Sequence, residues 1–213
     1  MLHTETVEGT TLQLLKKLQK EEFLKRFHLA GGTALALYLG HRKSVDLDLF
    51  SPEPFDVDAL RRTLENVYGF RTDFTAKNTL KGSINNVKLD CITYACPMLE
   101  EPYMENGISL YSQEDIIAMK LSAIADNGTR LKDFIDIAYM STRFSFYAML
   151  QCYSRKFPEV NIVRPLKAVT YFEDIDFEED VVMLSGKFNW TKVKKRLIDM
   201  SGKQDKIFGT FPM

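Results

Sequence analysis

The most constraining feature of this sequence is a strict two-residue alternation over positions 44 to 50. Its apolar members are Val45, Leu47 and Leu49. Its polar members are Ser44, Asp46 and Asp48. Successive side chains of a strand point to opposite faces, so the pattern predicts a strand whose apolar face lies in a core. The two aspartates then leave the other face together, with Cα atoms roughly 6.5–7 Å apart.

Two carboxylates held on a rigid strand suit divalent cations such as Mg²⁺, which prefer hard oxygen ligands. Two such ions roughly 3.5–4 Å apart can stabilise the attacking and leaving oxygens of phosphoryl or nucleotidyl transfer. A third carboxylate is expected on a neighbouring strand. Asp90 is the candidate because it alternates with Leu89 and Cys91, although an exposed aspartate at a strand end would fit the same pattern. We therefore predict Asp46, Asp48 and Asp90 as catalytic residues and Mg²⁺ ligands.

A pair of glycines lies upstream, between a short predicted strand at 27–30 and a predicted helix at 33–39. Gly31 and Gly32 would let backbone N–H groups approach a phosphate closely, and a helix start favours negative charge. The alternative is a tight strand-to-helix turn. The segment matches neither GxxxxGK[ST] nor GxGxxG. Arg42 could hold a phosphate or brace an aspartate, and the alternative is a surface arginine.

The remaining pattern predicts an α+β fold, in which a small mixed β-sheet core with flanking helices is followed by a mainly α-helical C-terminal half. We place the core at residues 1–110 and the helical region, packed against it, at 111–213. Strands are predicted at 70–76 and 87–94, with a hairpin turn at Lys81-Gly82-Ser83. Helices are predicted at 11–27, 56–68, 113–126, 131–142, 145–156, 163–172 and 189–200.

Composition limits the classes of partner. Lys and Arg total 28 against 29 Asp and Glu, so nucleic acid could be attracted only by a local patch. The three cysteines form no CxxC pair, which favours a reducing compartment, and the scattered histidines make a structural zinc site unexpected. The N-terminal residues lack the pattern of a signal peptide, and no apolar run approaches the roughly 18 residues needed to span a membrane. We expect a cytoplasmic protein.

Three charged residues in the predicted helices 113–126 and 131–142 are candidates for the same site. Lys120 lies inside an apolar stripe, where a lysine either snorkels to solvent or points at an anion such as a triphosphate. Asp133 and Asp136 are spaced i, i+3 and so share a helix face. The alternative for this pair is a solvated or capping role, or a salt bridge to Arg130 or Lys132.

The C-terminal half also carries two strongly charged segments. The acidic stretch 173–180 is predicted to be a solvated loop. Trp190 lies on an apolar helical stripe and is predicted to be in the core. An exposed basic face is expected around it, which we keep as a hypothesis for contact with an RNA acceptor, formed by Lys187, Lys192, Lys194, Lys195 and Arg196.

Taken together, the segments 31–35 and 42–50 resemble the AbiEii/AbiGii toxin family, whose members are nucleotidyltransferase-like proteins of the polymerase-β superfamily in bacterial toxin–antitoxin and phage-defence systems. The segments 115–121 and 132–137 look like the downstream "KL…RxKDFxDL" pattern of that family. The resemblance covers residues from about 28 to 142.

The resemblance implies a Mg²⁺-dependent enzyme that moves a nucleoside monophosphate from an NTP to an acceptor hydroxyl on tRNA or protein. It also implies a cognate antitoxin. Asp46, Asp48 and Asp90 would form the catalytic metal site. The implied nucleotide-binding residues are Gly31, Gly32, Thr33, Arg42, Ser44, Lys120, Asp133 and Asp136. Two alternatives stay open at this point: a small-molecule nucleotidyltransferase resembling the aminoglycoside-modifying enzymes, and a catalytically silent binding module of a toxin–antitoxin complex.

Overall fold

The computed structural model describes residues 1–213. Seven strands and eight α-helices follow one another along the chain. The N-terminal part contains α1 (Gly9–Leu18), β1 (His28–Leu29), α2 (Gly31–Leu39), β2 (Leu47–Ser51), α3 (Val57–Tyr68), β3 (Arg71–Ala76), β4 (Thr79–Ile84), β5 (Val87–Thr93), β6 (Tyr103–Glu105) and β7 (Ile108–Leu110). The C-terminal part contains α4 (Gln113–Asp126), α5 (Leu131–Met140), α6 (Phe146–Lys156), α7 (Val163–Ala168) and α8 (Trp190–Gly202).

All seven strands form one mixed sheet in the order β3-β4-β5-β2-β1-β7-β6. The pairs β2–β5 and β1–β7 are parallel, and the other neighbours are antiparallel. Every strand ends before residue 111, and every helix from α4 onward follows it. The predicted α+β class, with a mixed sheet and a helical C-terminal half, is therefore confirmed.

Local sequence signals fix the ends of several helices. The Asp56 carboxylate accepts a hydrogen bond from Ala59 N–H (2.9 Å) at the start of α3, and Gly69, at φ +64°, ends that helix. Ser112 accepts from Asp115 N–H (3.0 Å) at the start of α4, as its spacing predicts. These caps fix both ends of α3 and the start of α4.

The predicted hairpin turn at Lys81-Gly82-Ser83 is wrong. These residues lie inside β4, with Gly82 paired to Leu89 of β5. The real turns lie at each end of β4 and use asparagines with positive φ, which that side chain tolerates better than most: Asn78, Asn85 and Asn86.

Several predicted boundaries are also corrected. β2 begins at Leu47 rather than residue 44, and Val45 is 59% exposed instead of facing the core. α1 ends at Leu18 rather than residue 27, and α7 ends at Ala168 rather than residue 172. The β6–β7 hairpin, which turns at Asn106-Gly107, was not predicted because its strands are only three residues long.

One hydrophobic core joins the sheet to the C-terminal helices. It contains 48 buried residues that run from Leu2 to Phe208. Across the interface, Tyr38 of α2 donates its hydroxyl hydrogen to Tyr111 O (3.0 Å), and Arg143 donates to Tyr38 O (2.6 Å). The division of the chain into a core at residues 1–110 and a helical region at 111–213 stays a prediction.

The C-terminal basic face is only partly as predicted. Lys192, Lys194 and Lys195 are exposed, but Arg196 donates to Ser141 Oγ and Thr210 O (both 2.8 Å). Trp190 is half-buried and packs edge-on against two phenylalanines at residues 172 and 177. None of the helices combines the length and the apolar composition needed to cross a bilayer.

The three cysteines are free thiols in different environments. Cys91 in β5 and Cys152 in α6 are buried. Cys96 is half-buried in the segment after β5, two residues beyond Tyr94.

Candidate active site

Two of the three predicted catalytic carboxylates face each other across neighbouring strands. Asp48 of β2 pairs in register with Asp90 of β5, and because the strands are parallel the two side chains leave the same face. Asp46 immediately precedes β2 and is exposed. The Asp90 carboxylate accepts a hydrogen bond from Lys81 Nζ (2.7 Å). The structure therefore brings an acidic pair together at the sheet, with Asp46 at its entrance.

The glycine pair is held directly against this acidic face. Ala30 N–H, at the end of β1, donates to the backbone oxygen of Asp48 (2.8 Å). Gly31 then turns the chain into α2 with φ +65°, and a Cβ at this position would overlap Asp48 Oδ2. A Cβ at Gly32 would lie 2.6 Å from Arg42 Nη2. Both glycines are therefore required by close approach, and the start of α2 lies beside the carboxylates.

Thr33 connects the start of α2 to the segment before β2. Its hydroxyl contacts Ser44 Oγ (2.8 Å) and donates to the backbone oxygen of Asp46. These bonds fix the path of residues 44–46, which carry Asp46 into position although they do not belong to the strand.

Asp48 has no hydrogen-bond or ion-pair partner for its carboxylate within the chain. Burial raises the pKa of this carboxyl to about 6, and the negative charges of Asp90 and Asp46 add to the shift. The positive charges of Lys120 and Arg130 act in the opposite direction. The site thus concentrates negative charge that the protein itself only partly compensates.

A buried ionic network lies behind the glycine turn. Arg42 donates through Nε and Nη2 to the two oxygens of Asp136 (2.8 and 2.9 Å). Lys120 Nζ pairs with Asp133 (2.5 Å) and with Asp136 (2.9 Å). His41 Nε2 donates to the same Asp136 carboxylate (2.8 Å). Arg42 is therefore a buried, braced side chain, and Lys120 is ion-paired instead of snorkelling to solvent.

The charges of this network stabilise one another. Burial works against the charge of Lys120, but Asp133 and Asp136 outweigh it and raise the pKa of the lysine. Burial alone would raise the pKa of Asp136, yet Arg42 and Lys120 hold it well below its usual range. Asp136 is wholly enclosed, whereas Asp133 lines the adjacent cleft, so the structure separates two residues that the sequence pattern could not distinguish.

The cleft beside the carboxylates has two chambers. The larger, of about 300 Å³, lies between the sheet and α4–α5 and is lined by Gly31, Asp48, Phe50, Tyr94, Ile116, Met119, Lys120, Ser122, Ala123, Asp126, Arg130 and Asp133. The smaller, of about 200 Å³, is polar and is lined by Gly32, Thr33, Arg42, Lys43, Ser44, Val45, Asp46, Asp48, Arg130, Lys132, Glu179, Asp180 and Val182. Asp48 and Arg130 line both chambers and therefore mark where the two adjoin.

Several cleft residues were not predicted from the sequence as site residues. Arg130 has a 64% exposed side chain, with a single contact to Asp133 at 3.9 Å. Lys132 is bound to Glu179 (2.8 Å), so part of the acidic stretch 173–180 lies against the cleft instead of being only a solvated loop. Phe50 could have been found, because it continues the alternation that contains Asp46 and Asp48.

The residues present fit a divalent cation whose shell is completed by a substrate. No group of three or more His, Cys, Asp or Glu side chains lies close enough together to hold a metal ion, so Asp46 does not join the Asp48–Asp90 pair in this arrangement. Mg²⁺ commonly uses one or two carboxylates together with substrate phosphates and water. The partnerless Asp48 carboxylate, beside Asp90 and Asp46, has the oxygen chemistry and the excess charge that such an ion requires.

Comparison with known protein families identifies the family of this chain. Residues 13–206 match the family described as nucleotidyl transferase AbiEii toxin, Type IV TA system. The chain belongs to this family. Membership of the AbiEii family confirms the resemblance drawn from the two sequence blocks and extends it into the C-terminal helices. The chain is accordingly a nucleotidyltransferase of a toxin family.

This AbiEii-family chain is similar to one curated protein in sequence and to solved structures in fold. It is 33% identical over 177 residues to the uncharacterized protein aq_aa25 of Aquifex aeolicus, which covers 76% of this chain and 85% of that protein. Its fold is similar to MenT4, the nucleotidyltransferase toxin Rv2826c of Mycobacterium tuberculosis, with TM-score 0.56, 14% identity, and 91% and 84% of the two chains covered. JHP933 of Helicobacter pylori aligns with TM-score 0.53 and 17% identity over 93% of each chain.

Proposed function

We propose that this AbiEii-family chain transfers a nucleoside monophosphate from an NTP to an acceptor hydroxyl on tRNA or protein in a Mg²⁺-dependent reaction. The acceptor oxygen bonds to the α-phosphorus, the bond from that phosphorus to the β-phosphate bridging oxygen breaks, and pyrophosphate leaves with the electron pair. The proton of the acceptor hydroxyl passes to a carboxylate of the site. The chain would act as the toxin of a toxin–antitoxin pair, restrained by a cognate antitoxin.

The observation that carries this proposal is the position of the Asp48 carboxylate. It has no hydrogen-bond or ion-pair partner and lies in the cleft beside the glycine turn. Its pKa of about 6 reflects burial and the nearby charges of Asp90 and Asp46. A divalent cation there would offset the repulsion and stabilise charge on the phosphate oxygens. We assign Asp48 and Asp90 as the ligands that already lie together, and Asp46, at the entrance of the site, as a third that would move toward them when cation and substrate bind. Asp90 is also a candidate proton acceptor, because Lys81 engages only one of its two oxygens.

The smaller chamber supplies the groups that a β/γ-phosphate tail needs. Gly32 and Thr33 form the first turn of α2, where backbone N–H groups and the helix dipole favour an anion. Ser44 adds a hydroxyl, and Arg42 lies against Gly32 with its guanidinium oriented by Asp136. We assign these residues, together with Gly31, to the triphosphate.

The ionic network would act by holding the positively charged side chains of Lys120 and Arg42 beside the nucleotide. Lys120 lines the larger chamber, and its positive charge opposes the rise in the pKa of Asp48. The charge of the lysine therefore acts at the site. Asp133 orients Lys120 from the cleft side, while Asp136 orients both Lys120 and Arg42 from the interior. We therefore keep the predicted nucleotide-binding role for Lys120 and assign positioning roles to the two aspartates.

The test is incorporation of label from each α-³²P NTP, with Mg²⁺, into total tRNA and into a cell protein extract. Wild type should label an acceptor, and the isosteric double variant Asp46→Asn/Asp48→Asn should lose the activity. Asp73→Asn is the matched control, because this aspartate is exposed on the edge strand β3, outside the cleft. If wild type labels no acceptor better than the double variant, the transfer reaction proposed here is wrong.

A γ-³²P NTP run in parallel checks the bond that breaks. Transfer of the nucleoside monophosphate leaves the γ-label in pyrophosphate, so no acceptor should carry it. Labelling from the γ-position instead would replace nucleotidyl transfer by phosphoryl transfer.

A further inference from the structure

The acidic face of the sheet becomes aromatic one alternation step beyond Asp48 in β2 and two steps beyond Asp90 along β5. Asp48 and Phe50 are alternate residues of β2, so they leave the same face with Cα atoms roughly 6.5–7 Å apart. In β5, Asp90 pairs with Asp48, and Tyr94 follows in the same two-residue alternation just beyond the strand. Tyr94 N–H donates to Ser51 O (2.8 Å), which keeps its backbone joined to β2.

Phe50 and Tyr94 together form what we call the aromatic wall. Their rings stack with centroids 5.7 Å apart and planes inclined by 14°. Both rings line the larger chamber, as do the apolar side chains Ile116 and Met119 of α4. The chamber is thus a slot between the sheet and a helix with a mainly apolar surface, and polar and charged side chains, among them Asp48, complete its lining.

This slot has the properties of a site for a flat aromatic group. Its volume of about 300 Å³ is at the lower end of the range for small-molecule pockets. Stacking on an aromatic side chain is available to every nucleobase, because every base has a π-face. Ser122 and Asp126 add polar atoms where they line the chamber, and these could meet the heteroatoms of a base.

We infer that the aromatic wall is the nucleobase subsite of the NTP. The inference rests on the proposed function, and it divides the substrate between the two chambers. The base stacks in the larger chamber, the β/γ-phosphates lie in the smaller one, and the α-phosphate lies between them beside Asp48 and Arg130, which line both. Asp48 and Phe50 are one alternation step apart in β2. This short separation matches the short distance between the α-phosphate and the base of one nucleotide.

The segment that carries Tyr94 is held by buried contacts in the absence of substrate. Lys156, which is buried, donates to Asp115 Oδ1 (2.6 Å) and to Pro97 O (2.8 Å), and its Nζ lies 5.3 Å from the Tyr94 ring centroid. Asp115 also accepts from Leu99 N–H (3.1 Å). The segment after β5 is therefore tied to α4 and α6, so that Tyr94 does not have to be ordered when a base binds.

The experiment measures binding of two probes to the full chain by calorimetry with Mg²⁺. The first probe is an α,β-methylene NTP analogue, tried with each base, and the second is inorganic tripolyphosphate, which has no base. Tyr94→Ala should weaken the NTP analogue by about 5- to 150-fold, the range for loss of one base–aromatic stack. Binding of tripolyphosphate should stay unchanged. Tyr94→Phe, which keeps the ring, should bind the analogue like wild type.

Two further variants keep the result interpretable. Tyr147→Ala removes an exposed tyrosine outside the cleft and should affect neither probe. Phe50→Leu keeps apolar volume but removes one ring of the wall, so it repeats the test if Tyr94→Ala fails to fold.

The outcomes separate the two proposals. If the analogue binds wild type but is equally tight in Tyr94→Ala and Phe50→Leu, or if both probes weaken together, the subsite assignment is wrong while nucleotide binding stands. If neither probe binds wild type, the proposed function and the subsite assignment both fail.

Discussion

Gly31 is the turn residue between β1 and α2, and it lies directly against the acidic face of the sheet. Its φ of +65° is unfavourable for residues with a Cβ, and a Cβ there would overlap the Asp48 carboxylate. Gly31→Ala should therefore lower stability by about 1–2 kcal/mol from the backbone alone. Displacement of Asp48 should also lower nucleotidyl transfer by about 100-fold. Urea denaturation and the labelling assay measure the two effects.

The control for Gly31→Ala is Gly9→Ala, at the first residue of α1. A Cβ at Gly9 would meet nothing within 4 Å. This variant should keep full activity and change stability by no more than about 0.5 kcal/mol. Equal behaviour of the two variants would show that close approach at Gly31 does not matter.

His41 gives the protein a pH dependence that was not predicted from the sequence. Burial lowers its pKa, with Arg42 and Lys120 acting in the same direction and Asp136 opposing them. With Nε2 donating to Asp136, the remaining ring nitrogen Nδ1 is buried without a partner, as expected for a neutral imidazole. The histidine is therefore neutral in the folded protein and has an ordinary pKa of about 6.5 when unfolded.

The sign of the effect follows from proton binding. Below about pH 6.5 the unfolded chain binds a proton at His41 that the folded chain does not, so the stabilising contribution is present above that pH and is lost as the pH falls toward the folded pKa. We expect the free energy of unfolding to decrease from pH 7.5 to pH 5, and His41→Gln to flatten this decrease. Taking the difference between the two proteins cancels the opposite contribution of Asp48, whose pKa is raised. Parallel pH profiles of wild type and His41→Gln would refute the assignment.

At the residue scale, the sequence indicated which residues carry the chemistry better than it indicated which side chains they contact. The alternation indicates that Asp48 and Asp90 each face away from the apolar neighbours in their own strand, and the pairing of β2 with β5 then puts both on one face of the sheet. The spacing around Lys120 could not show whether that lysine meets solvent, substrate or a carboxylate, because its partner Asp133 is on another helix. His41 was missed for the same reason, since the only hydrogen-bond partner of its side chain, Asp136, is 95 residues away.

At the scale of elements, β4 shows how a glycine can mislead. Gly82 resembled a turn residue, yet it is needed because Arg71 O and the Phe70 ring lie where a Cβ would be. Glycine in a strand often marks such a close approach of another backbone. The asparagines with positive φ were the better turn signal, and they stand at both ends of β4.

Gly82→Ala should therefore destabilise the protein by about 1–3 kcal/mol, the usual range for overpacking. Urea denaturation measures it directly. Gly202→Ala, at the end of α8 with open space around it, is the matched substitution and should be neutral within about 0.5 kcal/mol. A Gly82→Ala protein as stable as wild type would mean that β3 and β4 are not packed as described.

At the scale of the whole molecule, the order of strands was beyond sequence reasoning. β2 pairs with β5 across an excursion that contains α3, β3 and β4, and β1 pairs with β7 across a longer one. Such pairings depend on long-range contacts, which periodicity does not report. The change from sheet to helices near residue 110 was predictable, because the hydrophobic period changes from two to 3.6 there.

The continuous core predicts that the two halves do not fold separately. Residues 1–110 expressed alone would expose the surface on which α4 and α5 pack, and Tyr38 would lose both of its partners in the second half. We expect this fragment to show no cooperative thermal unfolding by circular dichroism, whereas the full chain unfolds in one transition. Mixing it with residues 111–213 is the control, and a fragment that melts cooperatively alone would make residue 110 a true domain boundary.

The burial of two of the three cysteines has a practical consequence. Cys91 and Cys152 are shielded, so a thiol-reactive dye should attach first at Cys96. That position is two residues from Tyr94, so a dye there would sit close to a residue that lines the larger chamber. The unmodified sequence thus carries its own attachment point for a fluorescent reporter, and nucleotide entry could be followed in real time without engineering a cysteine.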